Sequence, residues 1–236
     1  METDVILTAE EITEEKVINK TAVVIDVLRA SSTIVTALAN GADRILPVAS
    51  VDKARELAKS LSEACLIAGE RGGVQIEGFD LDNSPRQFLS QKIKNQSIVL
   101  TTTNGTKCFT RLEAASQVLV GSLLNSEAVS KRLTNREVVL CCAGQRGEVA
   151  LDDFLGAGKI IAKLESKNDL ELSDTARAAK DLYFYYKEEL KKNFKITDSG
   201  QGLIEKGKEK DIDFILENNY DVVPIYEEEA VQTTDS

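Results

Sequence analysis

The chain has 236 residues, 42% hydrophobic and 29% charged, enough for one large α/β domain or two small ones with a real core. A net charge of −10 disfavours nucleic acid as a partner, and no apolar run of about 18 residues marks a membrane span. The absence of histidine excludes Ser-His-Asp and Cys-His triads, phosphohistidine chemistry and histidine-ligated zinc, leaving carboxylates, hydroxyls, cationic side chains or a hard, oxygen-ligated metal for any hydrolysis.

The acidic N-terminus, METDVILTAEEITEEK, lacks the basic and apolar regions of a signal peptide. Residues 23–27 predict a buried strand, 31–40 a helix stopped by Gly41, and 44–48 a second strand. Residues 51–61 place Ala54, Leu57, Ala58 and Leu61 on one helical face. Strands follow at 65–68, 98–101, 118–120 and 138–142, with helices at 125–133 and 154–164. Residues 172–194 read as the longest helix, capped by Ser173 or Asp174, and the final EEEAVQTTDS reads as a frayed tail. Cys65, Cys108, Cys141 and Cys142 show no C-x-x-C spacing and read as reduced, cytoplasmic thiols.

This alternation predicts an α/β fold with helices layered around a mixed, largely parallel sheet. It forms one compact unit over 1–236, or two subdomains at about 1–90 and 91–236. The order strand, hydroxyl-rich turn, helix, strand, helix over residues 23–61 recurs over 98–133, with VVIDVLRASST facing IVLTTTNGT. A duplication leaves such a pattern, and so do the shared constraints of α/β units.

Four segments concentrate polar chemistry. In residues 26–33 a strand delivers Asp26 at its C-terminal end, followed by Arg29 and then Ser31, Ser32 and Thr33 at a helix start, where free N–H groups suit phosphate. An N-cap serine with a solvated Asp–Arg pair is the plain alternative. Residues 101–107 set Thr102, Thr103, Asn104, Gly105 and Thr106 beside Lys107, either an oxyanion nest or an Asn-Gly hairpin turn. Residues 69–86 gather Glu70, Arg71 and further carboxylates in a glycine-containing loop, offering hard ligands or simply a solvated surface. After the strand ending at Cys142, Asp152 and Asp153 open a helix, as N-terminal charges or as part of an acid–base or metal site.

Taken together, VVIDVLRASSTIVTAL, GERGGVQIEGFDLDNSP, TTTNGTK, the strand ending in CAG and LDDFLGAG resemble the 2-phosphosulfolactate phosphatase family along nearly the whole chain. The resemblance implies hydrolysis of 2-phospho-3-sulfolactate to 3-sulfolactate and phosphate with Mg²⁺, as in coenzyme M biosynthesis. On this basis Asp26, Arg29 and Asp153 are the candidate catalytic residues, and Asp26, Glu70 and Asp153 the candidate metal ligands. Ser31, Ser32, Thr33, Arg71, Thr102, Thr103, Asn104, Gly105 and Thr106 are the candidate substrate contacts. Attack by a metal-activated water and attack by Asp26 itself both fit. The expected partner is a small anionic phosphorylated acid, with no nucleic acid and no membrane, in a chain that could form a homodimer. A phosphatase for another phosphorylated acid, a phosphotransferase or isomerase, and a non-catalytic module that binds a phosphorylated metabolite are the competing readings.

Overall fold

The computed structural model describes residues 1–61, 64–133 and 137–233. Its strands are β1 (Glu2–Ile6), β2 (Thr21–Ile25), β3 (Arg44–Pro47), β4 (Cys65–Arg71), β5 (Val74–Gln75), β6 (Ser97–Thr101), β7 (Gln117–Gly121), β8 (Val138–Cys142), β9 (Glu171–Leu172), β10 (Ile225–Glu227) and β11 (Ala230–Gln232). The helices are α1 (Glu14–Val17), α2 (Ala30–Ala39), α3 (Val51–Ser60), α4 (Thr106–Phe109), α5 (Ser126–Arg132), α6 (Leu151–Glu165), α7 (Asp174–Tyr186), α8 (Leu190–Ile196), α9 (Asp198–Glu205) and α10 (Glu209–Glu217). Among the described residues none is long and apolar enough to cross a membrane.

The expected α/β fold is present. Among the described residues the strands form one sheet in the order β5-β4-β6-β3-β11-β10-β7-β2-β8-β1-β9. β2, β6 and β8 are buried at every position, as continuous apolar runs in a parallel sheet covered by helices require. β4, β6 and β3 form one parallel block, and β7, β2, β8, β1 and β9 another. The β10–β11 hairpin joins them through antiparallel pairings, so the blocks run in opposite senses.

This topology carries the repeat seen in the sequence. Exchanging β4, β6, β3 and β11 with β8, β2, β7 and β10 maps the order of the eight central strands onto itself, the signature of a two-fold relation through the hairpin. The repeats interleave: α2 leads from β2 to β3 in the other block, and α4 lies on the path from β6 to β7. Thr21 pairs with Gln117 where Ser97 pairs with Arg44, which makes Asp26 equivalent to Thr102 and Ala30 to Thr106. That is one residue out of step with the alignment of the two sequence motifs, because pairing register rather than side-chain likeness sets the equivalence.

Two sequence readings are corrected and one alternative is removed. The helix expected over 172–194 is divided: Glu171–Leu172 pairs with β1, Ser173 caps α7 through the Ala176 N–H at 3.1 Å, and a 3-10 turn at Lys187–Glu189 separates α7 from α8. The tail is not frayed through Gln232, since β11 completes the sheet and Val231 is fully buried; its last three residues lie outside the described ones. The Asn104-Gly105 pair makes no hairpin, because Gly105 is right-handed helical and opens α4. Cys108, Cys141 and Cys142 are buried free thiols, packed as small apolar side chains.

Candidate active site

The loops after β2, β4, β6 and β8 bring Asp26, Glu70, the 102–106 turn and the Asp152–Asp153 pair together. Asp26 is buried, and its Oδ1 accepts the Ala30 N–H at 2.9 Å at the start of α2. The Gly105 N–H from the other repeat also stabilises its charge. A Cβ on Gly105 would stand 2.5 Å from Asp26 Oδ2 and 2.6 Å from the Ala30 Cβ, so only glycine lets the two helix starts approach this closely.

Asp153 acts as a clasp. Its Oδ1 accepts the Val27 N–H at 2.7 Å and its Oδ2 the Gly144 N–H at 3.1 Å, tying the β2 loop to the β8 loop. Glu70 does the same between β4 and β6: Oε1 accepts the Thr103 N–H at 2.7 Å, and Oε2 accepts the Gly73 N–H at 2.6 Å and the Thr103 hydroxyl at 3.1 Å. Asp152 differs. It is 1% exposed, yet its Oδ1 has no hydrogen-bond partner, which is costly for a buried carboxylate oxygen.

The three aspartates disfavour one another's charge. Burial pushes Asp26 up to about 6, with Glu70 adding to the rise against the Ala30 N–H. Burial raises Asp152 to about 7, with Asp26 adding to the rise against the Ser199 hydroxyl. Asp153 rises well above the ordinary carboxylate range through burial, then Asp152, then Asp26. Among the described residues no three Cys, Asp or Glu side chains form a preformed cation cage. Mg²⁺ does not need one, because it commonly takes one or two carboxylates and completes its octahedron with water and substrate phosphate oxygens. An orphaned buried oxygen within a mutually repelling carboxylate group fits such an ion. Clefts of about 700 and 320 Å³ open elsewhere, at Tyr220 and at Asp4, and the site carboxylates line neither.

The residues of the chain match the family described as 2-phosphosulpholactate phosphatase over positions 6–229. Among curated proteins it is 40% identical over 230 residues to one named "Probable 2-phosphosulfolactate phosphatase" from Clostridium acetobutylicum, covering 96% of this chain and 97% of that one. Proteins of the same name from Clostridium beijerinckii (37% over 235 residues, 97% and 98% covered) and Caldanaerobacter subterraneus subsp. tengcongensis (40% over 231 residues, 96% of each) are similar. The chain belongs to the 2-phosphosulfolactate phosphatase family.

In this family member the candidate site residues fall into two groups. Asp26, Glu70, Asp153, Thr103 and Gly105 converge as described. Arg29 is buried and its guanidinium is taken up by two other acids, with Nη1 donating to Asp211 at 2.7 Å and Nη2 to Asp82 at 3.5 Å, while its charge still favours the ionised form of Asp26. Arg71 holds the Glu70 carbonyl at 2.7 Å and the Thr101 hydroxyl at 2.9 Å. The hydroxyls of Ser31, Ser32 and Thr33 donate to the carbonyls of Asp26, Val27 and Asn83, and that of Thr106 donates to the Thr102 carbonyl. Thr102 Oγ1 accepts the Thr106 N–H at 3.2 Å, while Asn104 is half-buried beside it. The sequence shows Asp152 beside Asp153 at the helix start, but only Asp153 stands among the candidate site residues, and Ser199 is not among them. Two successive aspartates at a helix start look alike on paper, and only the neighbouring loops decide which one keeps a free oxygen.

Proposed function

We propose that this family member is a Mg²⁺-dependent phosphatase that hydrolyses 2-phospho-3-sulfolactate to 3-sulfolactate and phosphate in the cytoplasm. The observation that carries the reading is the unpartnered Asp152 Oδ1 within a buried group of carboxylates at the strand ends. Asp26 and Asp152 would hold the ion, which when bound supplies charge neutralisation for the phosphoryl oxygens and the attacking oxygen.

The chain's own residues arrange the rest. Asp153 and Glu70 tie together the loops from which Asp26 and Asp152 reach the site. The Ala30 and Gly105 N–H groups fix the rotamer of Asp26 and leave part of its carboxylate to face substrate. Burial beneath the loops excludes water and strengthens each of these interactions. Phosphate monoester hydrolysis is among the slowest uncatalysed reactions, so positioning and charge neutralisation supply most of the rate.

Phosphate release from phosphosulfolactate, measured with Mg²⁺ and with EDTA, tests the reading. We expect release only with Mg²⁺, and a loss of about a hundredfold or more in Asp152→Asn. Undiminished release in EDTA, or wild-type rates in Asp152→Asn, would contradict it.

A further inference from the structure

We propose that Lys206 is a specificity-determining residue that binds the anionic end of the substrate opposite its phosphate, a sulfonate or carboxylate. The inference rests on the phosphatase reading above. The eight residues of α9 span about 12 Å. At its first turn the Ser199 hydroxyl stabilises the Asp152 carboxylate and stands 3.5 Å from Gln145 Oε1. Just past its other end, Lys206 lies against the Gly72–Gly73 turn. A Cβ on Gly73 would stand 2.9 Å from Lys206 Cδ, 3.2 Å from Cε and 3.8 Å from Nζ. The Gly73 N–H in turn binds Glu70, whose charge acts on Asp26. The helix therefore bridges the site from its Asp152 side to its Glu70 side and presents an ammonium group at the second.

That ammonium is free for a ligand. Lys206 is exposed, and its Nζ donates to the Gly202 carbonyl of its own helix at 2.8 Å, with no carboxylate in ion-pair range among the described residues. Its neighbour Lys208 behaves differently and is paired with the fully buried Asp82. Around α9 the lysines Lys191, Lys192 and Lys195 are likewise each paired with acids. An anion approaching a chain of net charge −10, and a site floored by carboxylates, needs such a local cation. A flexible ammonium on a long stem suits a sulfonate or carboxylate as a point charge.

The buried ion network explains why Lys206 is held there. Gly207 and Lys208 close α9 through N–H bonds to the carbonyls of Ile204 at 2.9 Å and Leu203 at 2.8 Å. Lys208 anchors that turn on Asp82, and Asp82 pairs with Arg29, which also pairs with Asp211 of α10. The Ser84 hydroxyl donates to the other Asp211 oxygen at 2.7 Å. Arg29 is thus a positioning residue: it ties the end of α9 to the loop that carries Asp26.

The test compares Lys206→Met, which keeps the stem against Gly73 and removes the charge, with Lys206→Arg, which keeps the charge. Steady-state kinetics use phosphosulfolactate and p-nitrophenyl phosphate, the second lacking another anionic group, and calorimetry follows 3-sulfolactate binding. We expect Lys206→Met to lower kcat/KM for phosphosulfolactate about tenfold more than for p-nitrophenyl phosphate, mainly through KM, with most of the loss recovered in Lys206→Arg. Equal losses on both substrates, or none, overturn the proposal. If wild type hydrolyses neither substrate the phosphatase reading fails, and calorimetry still decides on Lys206. Weaker 3-sulfolactate binding by Lys206→Met supports its role; equal binding, or no binding by wild type, overturns it.

Discussion

Removing the charge of Asp26 should stabilise the metal-free protein while abolishing turnover. In the folded chain burial pushes the Asp26 carboxyl up to about 6 from an ordinary 3.8. At about 1.4 kcal/mol per unit, holding it charged at pH 7.5 costs the native state about 3 kcal/mol. Asp26→Asn removes that term. The amide keeps one acceptor oxygen for the Ala30 and Gly105 N–H groups, and imperfect pairing of the second returns about 1 kcal/mol. The net gain is about 2 kcal/mol, or about 4–8 °C in Tm for a chain of this length. Between about pH 4 and 6 the native state binds more protons than the unfolded one, so wild-type stability falls as pH rises through that window. Urea melts in EDTA at pH 7.5 and at pH 4 are the assay. The variant should be more stable at pH 7.5, should lose most of that advantage at pH 4, and should fall behind wild type when Mg²⁺ is added. A variant less stable than wild type at pH 7.5 in EDTA, or an advantage equal at both pH values, would refute the reasoning.

Two further substitutions separate geometry from stability. Gly105→Ala meets no backbone obstacle, since Gly105 has φ −57°, but its methyl would press on Asp26 Oδ2 and the Ala30 Cβ. We expect kcat/KM to fall about a hundredfold as the two helix starts are forced apart, with a loss of about 1–3 kcal/mol in a urea melt. Val231→Asp places an unpaired charge at a fully buried position on the hairpin that joins the blocks. It should lower Tm by about 10 °C or leave the protein insoluble, whereas a tail outside the core would tolerate the change.

The elements legible in the sequence are those whose pattern is complete within themselves. β2, β3, β6 and β8 are short apolar runs, and α3 shows one apolar stripe, so each was placed to within a few residues. Elements that exist because of a distant partner were missed. Glu2–Ile6 reads as an acidic terminus until it pairs with β8, and Val231 looks like part of a polar tail until β11 pairs with β3 and β10 and closes the gap between the blocks. The site divides along the same line. Asp26 at a strand end, Glu70 in a glycine-containing loop and Asp153 at a helix start stand out as candidates by residue type and by the family resemblance. Sequence carries no information on the partner of a hydroxyl or guanidinium, and here Ser32 bonds Val27 and Ser122 while Arg29 bonds Asp82 and Asp211.

The repeat also explains why a doubled scaffold yields one such site. Asp26 and Thr102 occupy equivalent positions, and each side chain accepts the N–H four residues on, Ala30 at 2.9 Å and Thr106 at 3.2 Å. Either residue can cap its helix start, so capping alone does not require the charge. The Gly105 N–H breaks the equivalence, because it reaches across to Asp26 and adds a second donor to a carboxylate already bonded within its own repeat. A hydroxyl has too few acceptor positions to serve both starts and still face a substrate, whereas a carboxylate has about four. The Asp152–Asp153 pair lies on the β8 side of Asp26, and the β4 loop equivalent to the β8 loop contributes Glu70, already bonded to Gly73 and Thr103. The free carboxylate oxygen at Asp152 therefore has no counterpart at Glu70, and chemistry that depends on it can proceed on only one side of the two-fold relation.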